Sequence, residues 1–475
     1  MKKTLALFVL FVIGCSTISE KSGVKKPWDN GKIIVSRNGR FLQHENGEPF
    51  FWLGDTGWLL FARLNRQEAE AYLENRRRLD FNVIQVMVLH EIPQVNFYGD
   101  SALVGMDVAR PKVTPGSDPD DSEQYDFWDH LDYIVKTAAE KGIYMGLVPV
   151  WGSNVRSGKV SGDAAAAHAA WLADRYKDSP NIFWLNGGDV RGDDKMKVWQ
   201  TLGKTIKNID PNHLMTFHPF GRTLSSTWFH NESWLDFNMF QSGHRRYDQG
   251  DDTNRRGEDN WRYVAEDYYK IPAKPTLDGE PSYEGIPQGL HDPDEPYWEA
   301  KDVRRYAYWS VFAGACGHTY GHNAVMQMYN PNSKKGSYGV KDYWYDAVNH
   351  PGARQMQFVV KLLLSRPYFE RVPDQSIIAG DAGTRYDYVI ATRGDSYLFA
   401  YTYTGREFEI NMDKISGEKV QAWWYNPRDG QATKIDSYQN RGTQVFDPPG
   451  EKKEGNDWVL VLDDVRKNYP DPGRY

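Results

Sequence analysis

From Pro49 to about Asn323, short apolar runs of strand length alternate with longer stretches whose apolar positions recur at i, i+3 and i+4. Eight of the runs read as strands: FFWLGD ending at Asp55, VIQVMVLH at His90, YMGLVPVW at Trp151, NIFWLNGGD at Asp189, LMTFHPF, LDFNMFQSGH, KPTLDGE at Glu280, and AGACGHTYGH. Between them the periodicity predicts helices over Asn65 to Leu79, over YDFWDHLDYIVKTAAEKG to Gly142, and over DAAAAHAAWLADRYKD to Asp178. The last two end near a Gly or a Ser-Pro stop. The fifth connection, GRTLSSTWFHNESW, is Ser/Thr-rich and poorly periodic, so its helix is expected to be degraded or replaced by a loop. Strand–helix alternation predicts a parallel sheet, and eight units predict an α/β fold of the (β/α)8 TIM-barrel type over residues 31–366.

Beyond a helix expected near Pro351 to Leu364 the texture changes. Short alternating runs follow, YDYVIATRG, SYLFAYTY, REFEINM, KVQAWWYNPRDG and DWVLVLDD, separated by Gly/Asp/Asn turns. They predict a C-terminal antiparallel β-sandwich over 367–475, expected to pack on the barrel as a stabilising module.

The N-terminus, MKKTLALFVLFVIGCS, joins two lysines to an apolar run too short to span a bilayer, the pattern of a signal peptide over residues 1–15. Val12-Ile13-Gly14-Cys15 resembles a lipobox, which makes Cys15 the expected lipidation site of an exported outer-membrane lipoprotein, periplasmic or cell-surface. Residues 16–30 are polar and Lys/Ser/Gly-rich, as in a flexible tether. With Cys15 acylated, Cys316 is the one remaining cysteine of the chain and no intrachain disulfide is expected. Net charge is −7, which argues against a nucleic-acid partner. The chain's 17 Trp and 29 Tyr exceed ordinary core demand, and flat rings with polar edges suit sugars.

In a barrel of this kind the reacting groups come from the C-terminal ends of strands, the one face a substrate reaches. Polar residues there include Asp55, His90, Asn186, Asp189, His218, Gln241, His244, Glu280, His318 and His322. Two carboxylates stand out, Asp189 after the fourth strand and Glu280 after the seventh, with Glu284 a competing acid four residues further on. Glycosidic cleavage requires such a pair, one neutral to protonate the departing oxygen and one charged to attack or to activate water. The glycines before Asp189 allow a tight turn; alternatively Asp189 caps the helix beginning near Asp194. Asp55, Trp58, His90, Trp151, Asn186, His218, Gln241, His318 and His322 are candidate sugar-binding groups. His318 and His322 are spaced as two ligands on a helical face, but Gly314, Gly317 and Gly321 argue against a helix there, and no metal or other cofactor is expected.

The blocks GEPFFWLGDTGWLLFARLNRQEAEAYLENRRRLDFNVIQ, NIFWLNGGD and KPTLDGEPSYEG together resemble the apiosidase-like glycoside hydrolases, relatives of the large retaining barrel clan. The C-terminal part resembles the collagen-binding-type domain that accompanies them. The resemblance implies a catalytic barrel acting on plant cell-wall polysaccharide. Its named precedent is rhamnogalacturonan II with its apiose side chains, so the expected partner is an oligosaccharide or polysaccharide. It matches Asp189 as acid/base and Glu280, or Glu284, as its partner. The clan's fourth-strand motif ends Asn-Glu, whereas two glycines separate Asn186 from Asp189, which leaves retention or inversion open. The competing readings are a non-catalytic carbohydrate- or matrix-binding lipoprotein and a metal-dependent hydrolase.

Overall fold

The computed structural model describes residues 26–249, 256, 258–333 and 335–475; Cys15 and the segment read as a signal peptide lie outside them. Within the segment read as a tether, Pro27–Asn30 forms a 3-10 turn, and Trp28 packs edge-on against Tyr144 at 5.9 Å. Three short antiparallel strands (Ile33–Val35, Leu42–His44, Pro49–Phe50) follow, and Phe50 packs on Tyr144 and Phe183 at the N-terminal ends of barrel strands.

Eight parallel strands then form the sheet: β1 (Trp52–Thr56), β2 (Val83–Met87), β3 (Tyr144–Val148), β4 (Ile182–Val190), β5 (Met215–Pro219), β6 (Asn238–Phe240), β7 (Thr276–Asp278) and β8 (Gly317–Tyr320). Backbone ladders run unbroken from β5 through β4, β3, β2, β1, β8 and β7 to β6. Closure between β5 and β6 rests on single bonds: Asp236 N donates to Met215 O at 2.8 Å and Thr216 Oγ1 to Phe237 O at 2.7 Å. The strands alternate as β structure must. Trp52, Val83, Tyr144, Phe183, Met239 and Leu277 fill the interior, while Ile84, Val86, Met145, Trp184 and Phe217 pack outward under the helices.

A helix follows each strand: α1 (Arg66–Arg78), α2 (Phe127–Glu140), α3 (Gly162–Tyr176), α4 (Met196–Ile209), α5 (Ser226–Phe229), α6 (Trp261–Tyr268), α7 (Ala300–Phe312) and α8 (Pro351–Leu364). Their starts are written in the sequence. Asn65 with Glu68 and Asp126 with Asp129 form capping boxes, and Ser161 accepts from Ala164 N. The fifth helix has shrunk to one turn, as its composition predicts.

The C-terminal unit is built of a six-stranded and a three-stranded antiparallel sheet. It packs against α6 and α7 through near-parallel ring stacks, Tyr401 on Tyr308 at 4.8 Å and Tyr388 on Trp261 at 4.6 Å, and Tyr425 OH donates to Phe358 O of α8 at 2.7 Å. Buried ion pairs, Arg304–Asp457 at 2.8 Å and Arg366–Asp463 at 2.7 Å, cross the same junction. Cys316 is free and buried.

Candidate active site

β4 does not end as a plain strand. Its ladder to β5 is in register at Gly187–His218 and resumes at Val190–Pro219, so Gly188 and Asp189 are extra residues on the β4 side. Gly187, Gly188 and Asp189 all have positive φ, +89°, +103° and +55°. A side chain on Gly188 would meet the Trp151 ring at 2.5 Å, and one on Gly187 would meet His218 O at 2.6 Å. The glycines thus let the bulge lie flat against its neighbours while Asp189 is lifted over the barrel mouth. Asp189 does not cap α4, which begins after Lys195.

We expect Gly188→Ala to cost about 1–3 kcal/mol of stability through backbone strain and the Trp151 contact. An acid displaced by about 1 Å costs roughly a hundredfold in turnover. Thermal melting and kcat measured together check this; a variant that melts and turns over like the parent removes the role given to the bulge.

Above the strand ends lies a cavity of about 850 Å³. Asp189 and Glu280 both line it, with Trp58, His90, Trp151 and Gln241. Glu280 follows β7 and is held by two imidazoles. His244 Nε2 lies 3.1 Å from Oε1 in hydrogen-bonding geometry, and His218 Nε2 lies 3.1 Å from Oε2 but out of line for a straight bond. His218 is wedged beneath the aromatic floor, edge-on to Trp58 at 5.2 Å and 5.8 Å from Trp151. Trp58 Nε1 donates to the Tyr283 hydroxyl at 3.2 Å, and the Tyr283 ring packs edge-on against His244 at 4.7 Å.

This environment drives the two carboxyls apart. For Glu280, burial acts upward, but the two imidazoles at its oxygens, His218 and the hydrogen-bonded His244, outweigh it and hold the group down at about 2. Asp189 opens onto the cavity with protein packed around its other sides. Burial and then the Glu280 charge push it up to about 6, against the pull of the two histidines and a hydrogen bond from Gln241. One acid is therefore protonated in mildly acidic water while the other is ionised, the division of labour that acid-assisted cleavage needs.

Several expected sugar-binding groups point elsewhere. Asp55, Asn186 and His318 sit on the outward face of their strands. Asp55 accepts from Tyr72 and Arg76 of α1, both at 2.5 Å. Asn186 donates to Trp199 O at 2.8 Å and accepts from Gly187 N at 3.0 Å, so it pins the bulge rather than meeting a substrate. His318 lies 3.3 Å from Ser310 Oγ of α7, fully buried. Glu284 is turned away from the cavity, accepting from Tyr320 OH at 2.6 Å and Gly352 N at 3.2 Å.

His322 is also outside the cavity lining. Its Nδ1 accepts from Ala324 N at 3.1 Å, which leaves the proton on Nε2, 3.1 Å from His350 Nδ1. Asp342 Oδ2 lies 3.9 Å from the other nitrogen of His350. These three side chains are close enough to surround a cation, but the lone pair that His322 would offer is already committed, so the cluster does not fit a metal.

Residues that sequence reasoning missed come from the connections that follow the strands. They are Tyr283, and the arginines Arg63, Arg191, Arg222, Arg245 and Arg256 around the cavity wall. His244 is visible in the sequence as one of several strand-end polar residues; its place on Glu280 follows from where the β6 loop turns, which no periodicity shows.

The family described as "Apiosidase-like, catalytic domain" matches residues 36–370, and that described as "Putative collagen-binding domain of a collagenase" matches 372–463. A solved glycoside hydrolase is 53% identical, covering 94% of this chain and 100% of its own, with a TM-score of 0.89. A glycoside hydrolase family 5 protein from Bacteroides vulgatus is 49% identical over 94% of this chain and 96% of its own, also at 0.89. No curated protein matches the chain. With residues 36–370 matched by the apiosidase-like catalytic domain and such near relatives among solved glycoside hydrolases, the chain belongs to the apiosidase-like family of glycoside hydrolases.

Proposed function

We propose that this glycoside hydrolase acts on pectic glycans of the rhamnogalacturonan II type, as an apiosidase, with Asp189 as proton donor and Glu280 as its charged partner. The observation that carries the catalytic assignment is the opposed displacement of two carboxyls facing one cavity. Asp189 protonates the glycosidic oxygen as the bond to the anomeric carbon breaks. Glu280 then either attacks that carbon or takes a proton from the water that does, and the separation of the two groups across the bound sugar decides between retention and inversion. Trp58 and Trp151 offer ring faces to the sugar, and His90 and Gln241 offer polar edges; His218, expected among the sugar-binding groups, lies beneath the floor and serves Glu280 instead.

The pectic reading draws support from charge. Five arginines line the cavity against three carboxylates, Asp189, Glu266 and Glu280. Arg191 and Arg256 are partly neutralised by Asp193 and Glu266. Arg63 donates to Gln327 O at 2.8 Å, and burial draws its guanidinium below its ordinary value, offset only in part by Glu91. A partly desolvated cation is relieved by an anionic ligand, and the uronates of pectin are anionic. Lipid attachment at Cys15, which would place the enzyme at the outer membrane, belongs to the same proposal.

The deciding experiment incubates the purified chain with pectic side-chain oligosaccharides and with neutral mannan and glucan oligomers. NMR identifies the released sugar and its first-formed anomer. Apiose released from the pectic set alone is the expected result; turnover confined to neutral oligomers removes the pectic assignment. The same assay on membrane and soluble fractions should find activity in the membrane for the parent and in the soluble fraction for Cys15→Ser.

A further inference from the structure

The loop from β6 to α6 carries much of the cavity chemistry: Gln241 beside Asp189, His244 on Glu280, and Arg245 and Arg256 in the wall. Its two limbs are tied together by one buried carboxylate. Glu258 Oε1, on the returning limb, accepts from Tyr247 N at 3.2 Å, only three residues past His244. The same oxygen accepts from the hydroxyl of Tyr386 at 2.7 Å, and Tyr386 belongs to the β-sandwich. Arg305 of α7 closes the group from below, its Nη2 2.5 Å from Glu258 Oε2.

Arg305 and Glu258 are fully buried side chains, and two nitrogens of Arg305 have no hydrogen-bond partner. Their charge is met by aromatic faces. The guanidinium carbon lies 4.6 Å from the Tyr386 ring centre and 4.9 Å from that of Tyr403, both sandwich residues, and 5.2 Å from Trp309. Tyr386 also packs edge-on against Tyr247 at 5.6 Å, and Arg385 lies over the opposite limb's Tyr247 ring at 5.0 Å. The turn bearing Tyr386 is anchored within its own domain, since Asp387 accepts from Thr404 Oγ1 at 2.9 Å and Lys452 Nζ at 2.8 Å.

We propose that the β-sandwich serves the barrel as a brace for this loop, with Tyr386 the positioning residue that, through Glu258 and Tyr247, holds His244 against Glu280. The sandwich then has a task within this chain that requires no collagen or other polymer. The consequence for turnover rests on the catalytic reading of Glu280; the consequence for the loop does not.

The test is Tyr386→Phe in the full chain, which keeps the ring stacks and removes one hydroxyl. Hydrogen exchange of the free enzyme should quicken about three- to tenfold over residues 243–249, the scale of one lost hydrogen bond, with the sandwich strands 389–402 unchanged. In the kinetic arm the acid limb of the pH–rate profile should move to higher pH, because a less firmly held His244 donates less well to Glu280. Unaltered protection over 243–249 overturns the brace, and so does protection lost equally throughout the sandwich, which would make Tyr386 a general fold residue. Changed exchange with no pectic turnover in parent or variant leaves the brace standing and removes the function proposed above.

Discussion

Glu280→Gln is expected to lower glycan turnover about a thousandfold, with KM little changed and the fold intact. The size follows from what the replacement keeps and removes. Glutamine has the shape of the glutamate and keeps one acceptor oxygen, so it can still accept from His244, with its NH2 on the side of His218, whose approach to the carboxylate is already out of line for a straight bond. It lacks the charge that His218 and His244 hold in place at an acid-resistant ionisation, and a neutral amide neither attacks an anomeric carbon nor accepts a proton from water. Circular dichroism and melting establish folding, and kcat on a pectic oligosaccharide measures the loss. Turnover within tenfold of the parent would strip Glu280 of its assignment. Glu284 offers no substitute, since both its oxygens are engaged behind the cavity wall.

The barrel was legible because its signals are local. Apolar periodicity at i, i+3 and i+4, apolar runs of strand length and the degraded fifth connection each report on a few consecutive residues, and each appears where expected. The sandwich was legible where strands are buried. The polar edge strands Ala432–Gln439 and Thr443–Phe446 carry too little apolar alternation to be read. Of the site, the acids were visible as strand-end carboxylates, but a strand end has two faces. Parity decides between them: in β1, Trp52 points inward, so Asp55, three residues on, points out; in β4, Phe183 points inward and Asn186 points out. His318 fails by the same rule, packing on Ser310 of α7 opposite the inward row of β8. His218 and Gln241 fall on the inward face, where Gln241 lines the cavity and His218 backs Glu280 from beneath the floor. What no local pattern carries is the return path of a loop. Tyr283 and the cavity arginines are placed by turns that depend on tertiary contacts made far along the chain, such as Trp298 Nε1 donating to His244 O at 3.1 Å.

Asp189→Asn should differ from the Glu280 variant in kind. Asp189 works in its protonated form. Its carboxyl is raised, so that form persists to about pH 6, and activity of the parent should fall as pH rises through that value and hold on the acid side toward the depressed Glu280 ionisation. The asparagine variant has no such proton to lose or give. On natural glycans, whose leaving oxygen must be protonated, it should lose about a hundred- to ten-thousandfold, and the basic limb near pH 6 should vanish. On a nitrophenyl glycoside of the same sugar, whose leaving group departs as a stable anion, the loss should shrink to about tenfold, because little proton transfer is required there. A basic limb that survives the substitution would mean that another group supplies the proton, and equal losses on both substrates would mean that the substitution acts other than by removing that proton. The contrast also separates the acid from the bulge that carries it: a displaced backbone impairs both substrates alike, whereas a missing proton impairs only the one that needs it.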